Sequence, residues 1–101
     1  MLRPATIMSE ESVLSDAANA GTQFLLYTGN FCGYCTAAKR LLDGKSLTYT
    51  ELNFDAGEAK RGEVVAATGH RTVPVVLDLR KGQPMFIGGF TELQSYLSKG
   101  N

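Results

Sequence analysis

The period of the apolar positions changes several times along the chain, and each change marks an element. Phe24 to Tyr27 is a continuous apolar run of strand length, as in a strand buried on both faces. Ahead of it, Val13, Leu14, Ala17 and Ala18 recur at helical spacing. Ser9, Glu10, Glu11 and Ser12 open this helix with carboxylates in its first turn, and Gly21 stops it. After the run, Gly29 and Asn30 make a turn. Cys35 to Leu42 then follows a helical pattern that Asp43-Gly44-Lys45 closes. Leu47 to Phe54 mixes Thr, Tyr and Leu as a strand at a sheet edge does. Ala56 to Thr68 reads as a helix ended by Gly69. Val73 to Leu79 is β-branched and apolar apart from Asp78, and Arg80-Lys81-Gly82 turns it into a further strand, Gln83 to Ile87. Gly88-Gly89 breaks the chain, and Phe90, Leu93, Tyr96 and Leu97 form one face of a closing helix.

Strand, helix and strand in succession make a βαβ unit of about thirty residues, so its two strands run parallel. The last two strands form a hairpin and run antiparallel. The predicted architecture is α/β: a four-stranded mixed sheet flanked by helices, with an extra helix at the N-terminus. A chain of 101 residues suffices for one domain with its own core, here assigned to residues 9–101. Met1 to Met8 is read as a tail, with Met8 as an alternative start. Ten basic and ten acidic residues cancel, which points away from a nucleic-acid partner. No apolar run approaches a membrane span. Met1 to Met8 lacks the apolar stretch of a signal peptide, so the expected setting is cytoplasmic, with thiols at rest in the reduced form.

Both cysteines of the chain fall in Cys32-Gly33-Tyr34-Cys35, between the apolar run and a helix. At a helix start the first N–H groups lack intrahelical partners and the dipole is positive, so a thiol there ionises more readily than a free one. Residues three apart on a helical turn share a face, with Cα atoms near the roughly 5.5–6 Å that a disulfide prefers. A purely stabilising crosslink is one reading. Closing so short a loop, however, removes only about 1.9 kcal/mol of chain entropy, against about 3 for fifteen residues. Half of a zinc site is another reading, but zinc takes about four ligands and the chain has a single histidine, His70, to add. Redox work by a dithiol fits the spacing and the context best.

The predicted plan, with Cys-x-x-Cys at its first βα turn, resembles the thioredoxin fold, and the local motifs resemble glutaredoxins. The motifs are Cys32-Gly33-Tyr34-Cys35 with Ala38-Lys39 after it, Thr72-Val73-Pro74, and Gly88-Gly89 opening the last helix. The resemblance implies a glutathione-dependent thiol–disulfide oxidoreductase, with Cys32 and Cys35 as catalytic residues and a cis Pro74 facing them. It also implies glutathione contacts at Tyr34, Arg61, Thr72, Val73, Pro74, Gly89, Phe90 and Thr91. Val73 would pair its backbone with the glutathione cysteine as an added strand does. The N-terminus of the last helix, at Phe90 and Thr91, would receive the γ-glutamyl carboxylate. Arg61 would face the glycine carboxylate; on spacing alone it reads equally as a solvated helix residue. Three positions depart from the family. Gly29 stands where Lys is usual, Thr91 and Glu92 stand where Asp is frequent, and Gly33 replaces the commoner proline.

For a thiol whose pKa is lowered from about 8.5 to about 5.5, the thiolate fraction at pH 7 rises roughly thirty-fold while nucleophilicity falls roughly 16- to 30-fold. Attack gains almost nothing. Departure gains, because a stable thiolate leaves quickly when glutathione attacks its mixed disulfide. This favours a glutathione-reduced catalyst acting on glutathionylated proteins or protein disulfides, most simply as a monomer. Two other readings stay open. One is a homodimer bridged by a [2Fe–2S] cluster, an iron–sulfur carrier or sensor, with Cys32 of each chain as metal ligand and glutathione completing the set. The other is a redoxin fed by thioredoxin reductase and dedicated to one protein partner.

Overall fold

The computed structural model describes residues 11–101. Helix α1 spans Glu11–Ala20, β1 Phe24–Thr28, α2 Gly33–Gly44, β2 Tyr49–Asn53, α3 Arg61–Thr68, β3 Val75–Asp78, β4 Met85–Gly88 and α4 Phe90–Ser98. The expected start of α1 at Ser9 and the tail before it lie outside the described residues. The four strands form one sheet in the order β2-β1-β3-β4. β1 runs parallel to β2, with Phe24 opposite Tyr49 and Thr28 opposite Asn53, and antiparallel to β3, with Tyr27 opposite Val75. β3 and β4 are antiparallel. Both pairings agree with the expectation, and β2 is an edge strand.

All five residues of β1 are buried, because it has a strand on each side and helices on each face. Strand alternation divides them. Leu25 and Tyr27 pack with Val13 of α1, Val64 and Ala67 of α3, and Val75 and Leu77 of β3. Phe24 and Leu26 point the other way, against Ala38 and Leu42 of α2, Leu93 and Leu97 of α4, and Val76 of β3. Each such side chain contributes about 1.5–3 kcal/mol by leaving water, so both helical layers are held by one strand. The Tyr27 hydroxyl donates to Asp16 Oδ2 at 2.8 Å and ties α1 to the sheet.

Several boundaries differ from the sequence pattern. The helix expected over 56–68 is broken. Phe54–Ala56 forms a short 3-10 turn capped by the Asn53 side chain, Gly57 follows at φ 74°, and α3 begins only at Arg61. A left-handed residue ends a helical turn, and glycine takes that conformation without strain. Helix α2 starts at Gly33, two residues earlier than the pattern suggested, so Cys32 itself is its N-cap. Strand β3 begins at Val75 rather than Val73, after a cis Val73–Pro74 peptide. β4 runs to Gly88, whose φ of 133° and crowding by Glu92 carbons, 2.8 Å from where a Cβ would stand, exclude a side chain. The C-terminal ends of β1 and β4 and the start of β3 therefore lie together at one end of the sheet.

The charge in the β3 pattern is fully buried. Asp78 accepts from Arg80 Nε at 3.0 Å, from Arg80 Nη2 at 2.9 Å, from the Arg80 backbone N–H at 2.9 Å and from the Tyr96 hydroxyl at 2.6 Å. Burial alone would raise its pKa. The Arg80 side chain, Tyr96 and the Arg80 backbone outweigh that and hold it at about 2. The arginine also lies over the Phe24 ring, 4.8 Å from its centre.

Candidate active site

Cys32 ends the turn after β1 with extended backbone, φ −118° and ψ 100°, and its sulfur accepts the Cys35 N–H at 3.0 Å. The side chain therefore caps α2, using one of the N–H groups that lack an intrahelical partner. Cys35 lies one turn further in, only 3% exposed, and is joined to Cys32 as a disulfide with Cα atoms 5.2 Å apart. The outer cysteine is half-buried and the inner one is closed off. Phe31, just before Cys32, is fully exposed at a φ of 54°.

The Val73 carbonyl oxygen lies 3.7 Å from Cys32 Sγ. Beside it a cavity of about 220 Å³ is lined by Tyr34 from α2, by Thr72, Val73 and Pro74, and by Gly89, Phe90 and Thr91 at the start of α4. The Tyr34 and Phe90 rings stack with centres 6.0 Å apart and close one wall. Candidate residues from three separated stretches thus share one groove running from Cys32 to the N-terminus of α4. Two further residues line it. His70 places Nε2 3.2 Å from Thr72 Oγ1, and its ring meets Phe86 edge-on. Glu92 Oε1 accepts the Gly89 N–H at 2.8 Å. That bond, with the Glu92 backbone N–H and then His70, holds the Glu92 carboxyl below its ordinary pKa. Glu92 is thereby engaged in capping α4. His70 entered the sequence reading only as a metal ligand; nothing in its spacing marks it as a groove residue.

Arg61 stands apart from this cavity. Its guanidinium lies 4.7 Å above the Phe54 ring and 3.8 Å from Asp55 Oδ1. Asp55 Oδ2 in turn accepts the Asn30 N–H at 2.7 Å. A side-chain carbon at Gly29 would meet Asp55 Oδ2 at 3.1 Å, Val73 Cγ2 at 3.6 Å and an Arg61 nitrogen at 3.8 Å. Gly29 thus lies between Arg61 and Val73, and Arg61 has a carboxylate in attendance that the sequence pattern did not single out. Behind the motif, Glu51 accepts from Thr28 at 2.7 Å and from Lys39 at 3.1 and 3.2 Å, bracing α2 against β1 and β2. Among the described residues no three His, Cys, Asp or Glu side chains converge as a metal site. Among them, too, no helix is long and apolar enough to cross a membrane.

Residues 24–78 match the glutaredoxin family model. Glutaredoxin 3 of Escherichia coli is 36% identical over 76 residues, covering 74% of this chain and 86% of that protein. The glutaredoxin of Neisseria meningitidis serogroup A is 37% identical over 76 residues, covering 74% and 85%. The crystal structure of a buckwheat glutaredoxin–glutathione complex is similar in fold, with a TM-score of 0.69 at 22% identity over 96% of this chain and 84% of that one.

Proposed function

Because the chain belongs to the glutaredoxin family of thiol–disulfide oxidoreductases, we propose that it reduces glutathione mixed disulfides and protein disulfides, with glutathione as reductant. One observation carries the reading. The outer sulfur, held at a helix N-terminus, faces the Val73 carbonyl at the mouth of a groove that ends on a second helix N-terminus. Such a groove suits a short extended peptide: its backbone lies along Val73, its sulfur meets Cys32, and an anionic end meets the free N–H groups at Phe90 and Thr91. Tyr34, Thr72, Pro74 and Gly89 complete the walls, and Arg61 takes the opposite carboxylate.

In the reaction, the Cys32 thiolate attacks the glutathione sulfur of a mixed disulfide and the substrate leaves as its thiolate. A second glutathione thiolate then attacks that same glutathione sulfur, giving glutathione disulfide and releasing the Cys32 thiolate. With a protein disulfide, Cys35 attacks the Cys32–substrate bond instead and closes the internal disulfide, which glutathione then opens. The test is an assay coupled to glutathione reductase and NADPH with a glutathionylated peptide. Turnover that saturates with glutathione supports the reading. Turnover only with a thioredoxin-reductase system points to a redoxin dedicated to one protein partner.

A second reading, the [2Fe–2S]-bridged homodimer, is favoured by the space at Gly33, where nothing lies within 4 Å of a built Cβ. One chain supplies Cys32 alone, so a second copy and two glutathione thiolates would have to complete the ligands.

A further inference from the structure

Phe31 is an apolar ring beside the reacting sulfur that neither the fold nor the groove uses. It is fully exposed, so its ring rests on no other side chain. Its backbone stands at φ 54°, a left-handed conformation that is unfavourable for a residue with a bulky side chain. The next residue, Cys32, caps α2, and the Tyr34 and Phe90 rings close a wall of the groove that runs on to α4. Phe31 is not among the residues lining that cavity. Its surroundings along the chain are uncharged, since Gly29 to Ala38 include no acidic or basic side chain. The carboxylate that reaches this turn, Asp55 on the Asn30 N–H at 2.7 Å, is balanced by Arg61 at 3.8 Å. At Gly33, after Cys32, nothing lies within 4 Å of a built Cβ, so the approach to the sulfur is open.

We propose that Phe31 is a docking residue for protein disulfides, taking an apolar side chain that flanks the reactive cysteine of the substrate polypeptide. The inference rests on the reading of Cys32 as the attacking thiol and names the class of protein substrate that its surface favours. The occupant follows from the reaction. To form the mixed disulfide, the substrate sulfur must come within about 2.05 Å of Cys32 Sγ. The Phe31 Cα is about 3.8 Å from that of Cys32 across their peptide, so residues next to the substrate cysteine pass over the ring. Glutathione, seated toward α4, has no apolar side chain to place there; a polypeptide has. Covering a bare ring in uncharged surroundings removes apolar surface from water, which selects an apolar neighbour over a polar one. In the step itself, the Cys32 thiolate attacks one sulfur of the substrate disulfide and the other leaves as a thiolate. Cys35, its proton passing to solvent, then attacks Cys32 Sγ and releases the second thiolate. The dithiol gives up two electrons and the substrate disulfide takes them.

The experiment uses the full chain, reduced to the dithiol, in single turnover with three disulfides. Two are self-quenched dimers of a fluorescent peptide whose one cysteine has leucine on both sides in the first and serine in the second. The third is the mixed disulfide of glutathione and 2-mercaptoethanol, which has no flanking apolar residue. The parent should cleave the leucine-flanked dimer on the order of ten-fold faster than the serine-flanked one, the gain from burying roughly 50 Å² of apolar surface. Phe31→Asn removes the ring and keeps a residue that accepts the left-handed backbone. It should bring that ratio close to one and leave the rate with the third disulfide unchanged. Phe31→Tyr should keep the preference. A parent without the preference, or a Phe31→Asn chain that retains it, overturns the assignment. So does a Phe31→Asn chain that loses all three substrates alike, because the ring would then serve to position Cys32. Self-association of the parent in sedimentation that Phe31→Asn abolishes also overturns it, assigning the ring to a second copy of the chain. A parent that cleaves the third disulfide but neither peptide overturns this inference and leaves the glutathione reading intact. One that cleaves none of the three overturns both.

Discussion

The Cys35 N–H points at Cys32 Sγ across 3.0 Å, so the outer sulfur caps the helix that carries the inner one. A thiolate gains more from that bond and from the helix end than a neutral thiol does, and Cys35 has neither the position nor the exposure to share the benefit. In the reduced protein at about pH 6, iodoacetamide should therefore label Cys32 well ahead of Cys35. Peptide mass spectrometry reads the order; equal labelling would mean that the helix end does not set reactivity. Cys32→Ser should abolish thiol transfer. Cys35→Ser should keep deglutathionylation and lose reduction of protein disulfides.

Arg61 is half exposed and already shared between Phe54 and Asp55. Its contribution to glutathione use should therefore fall near 1 kcal/mol or below, the scale of an exposed pair, rather than the roughly 1.5–3 of a buried charge-assisted bond. Arg61→Ala should raise the KM for glutathione a few-fold with kcat little changed, since it removes binding common to ground and transition states. In the Asp55→Asn background the same substitution should cost more, because the arginine there has no carboxylate of its own. Steady-state kinetics of the four variants test both statements; equal losses in the two backgrounds would show that Asp55 and Arg61 act independently.

Much of this was legible in the chain because it rests on local periodicity. The run Phe24 to Tyr27 signals a doubly covered strand, and alternation along it assigns Leu25 and Tyr27 to one helical layer and Phe24 and Leu26 to the other. The cysteine spacing and the glycine pair mark the helix starts that flank the groove. What was not legible depends on contacts distant in sequence or on one unusual backbone angle. Gly57 breaks a helix that Ala56 to Thr68 otherwise spells, and the short turn before it, capped by Asn53, carries the Asp55 that accepts the Asn30 N–H. His70 joins the groove through Thr72, which no spacing rule foretells. Asp78 looks like a flaw in a strand until Arg80 and Tyr96, from the turn and the last helix, enclose it.

That enclosure makes stability depend on acid. The folded pKa of about 2 lies below the ordinary 3.8, so Asp78 adds stability that is full above about pH 4 and is lost as the pH falls toward 2. The difference corresponds to about 2 kcal/mol. Urea midpoints followed by circular dichroism at several pH values should decline through this window. Asp78→Asn should remove this component of the decline. At neutral pH it should cost about 2–3 kcal/mol, because it leaves the Arg80 charge without its partner. An unchanged acid slope in the variant would assign the decline to other carboxylates.

Gly33 offers a test that separates the oxidoreductase from the cluster carrier. It is the first residue of α2, where a backbone N–H has no intrahelical partner and proline is well accepted. Cys32 before it is extended, the conformation a residue preceding proline favours, and no atom within 4 Å obstructs a side chain at Gly33. Gly33→Pro should thus fold and gain about 0.4–1 kcal/mol by restricting the unfolded chain. For a domain of this size that is a rise in Tm of a few degrees. Thiol transfer should persist, since neither sulfur nor the Val73 carbonyl moves. If a [2Fe–2S] cluster forms when the parent is incubated anaerobically with iron, sulfide and glutathione, the proline variant should yield less of the coloured dimer, because the ring stiffens and crowds the turn beside the ligating sulfur. A parent that stays colourless and monomeric with ample glutathione removes the carrier. A variant that loses thiol transfer while remaining folded would show that freedom at Gly33 is needed by the dithiol itself.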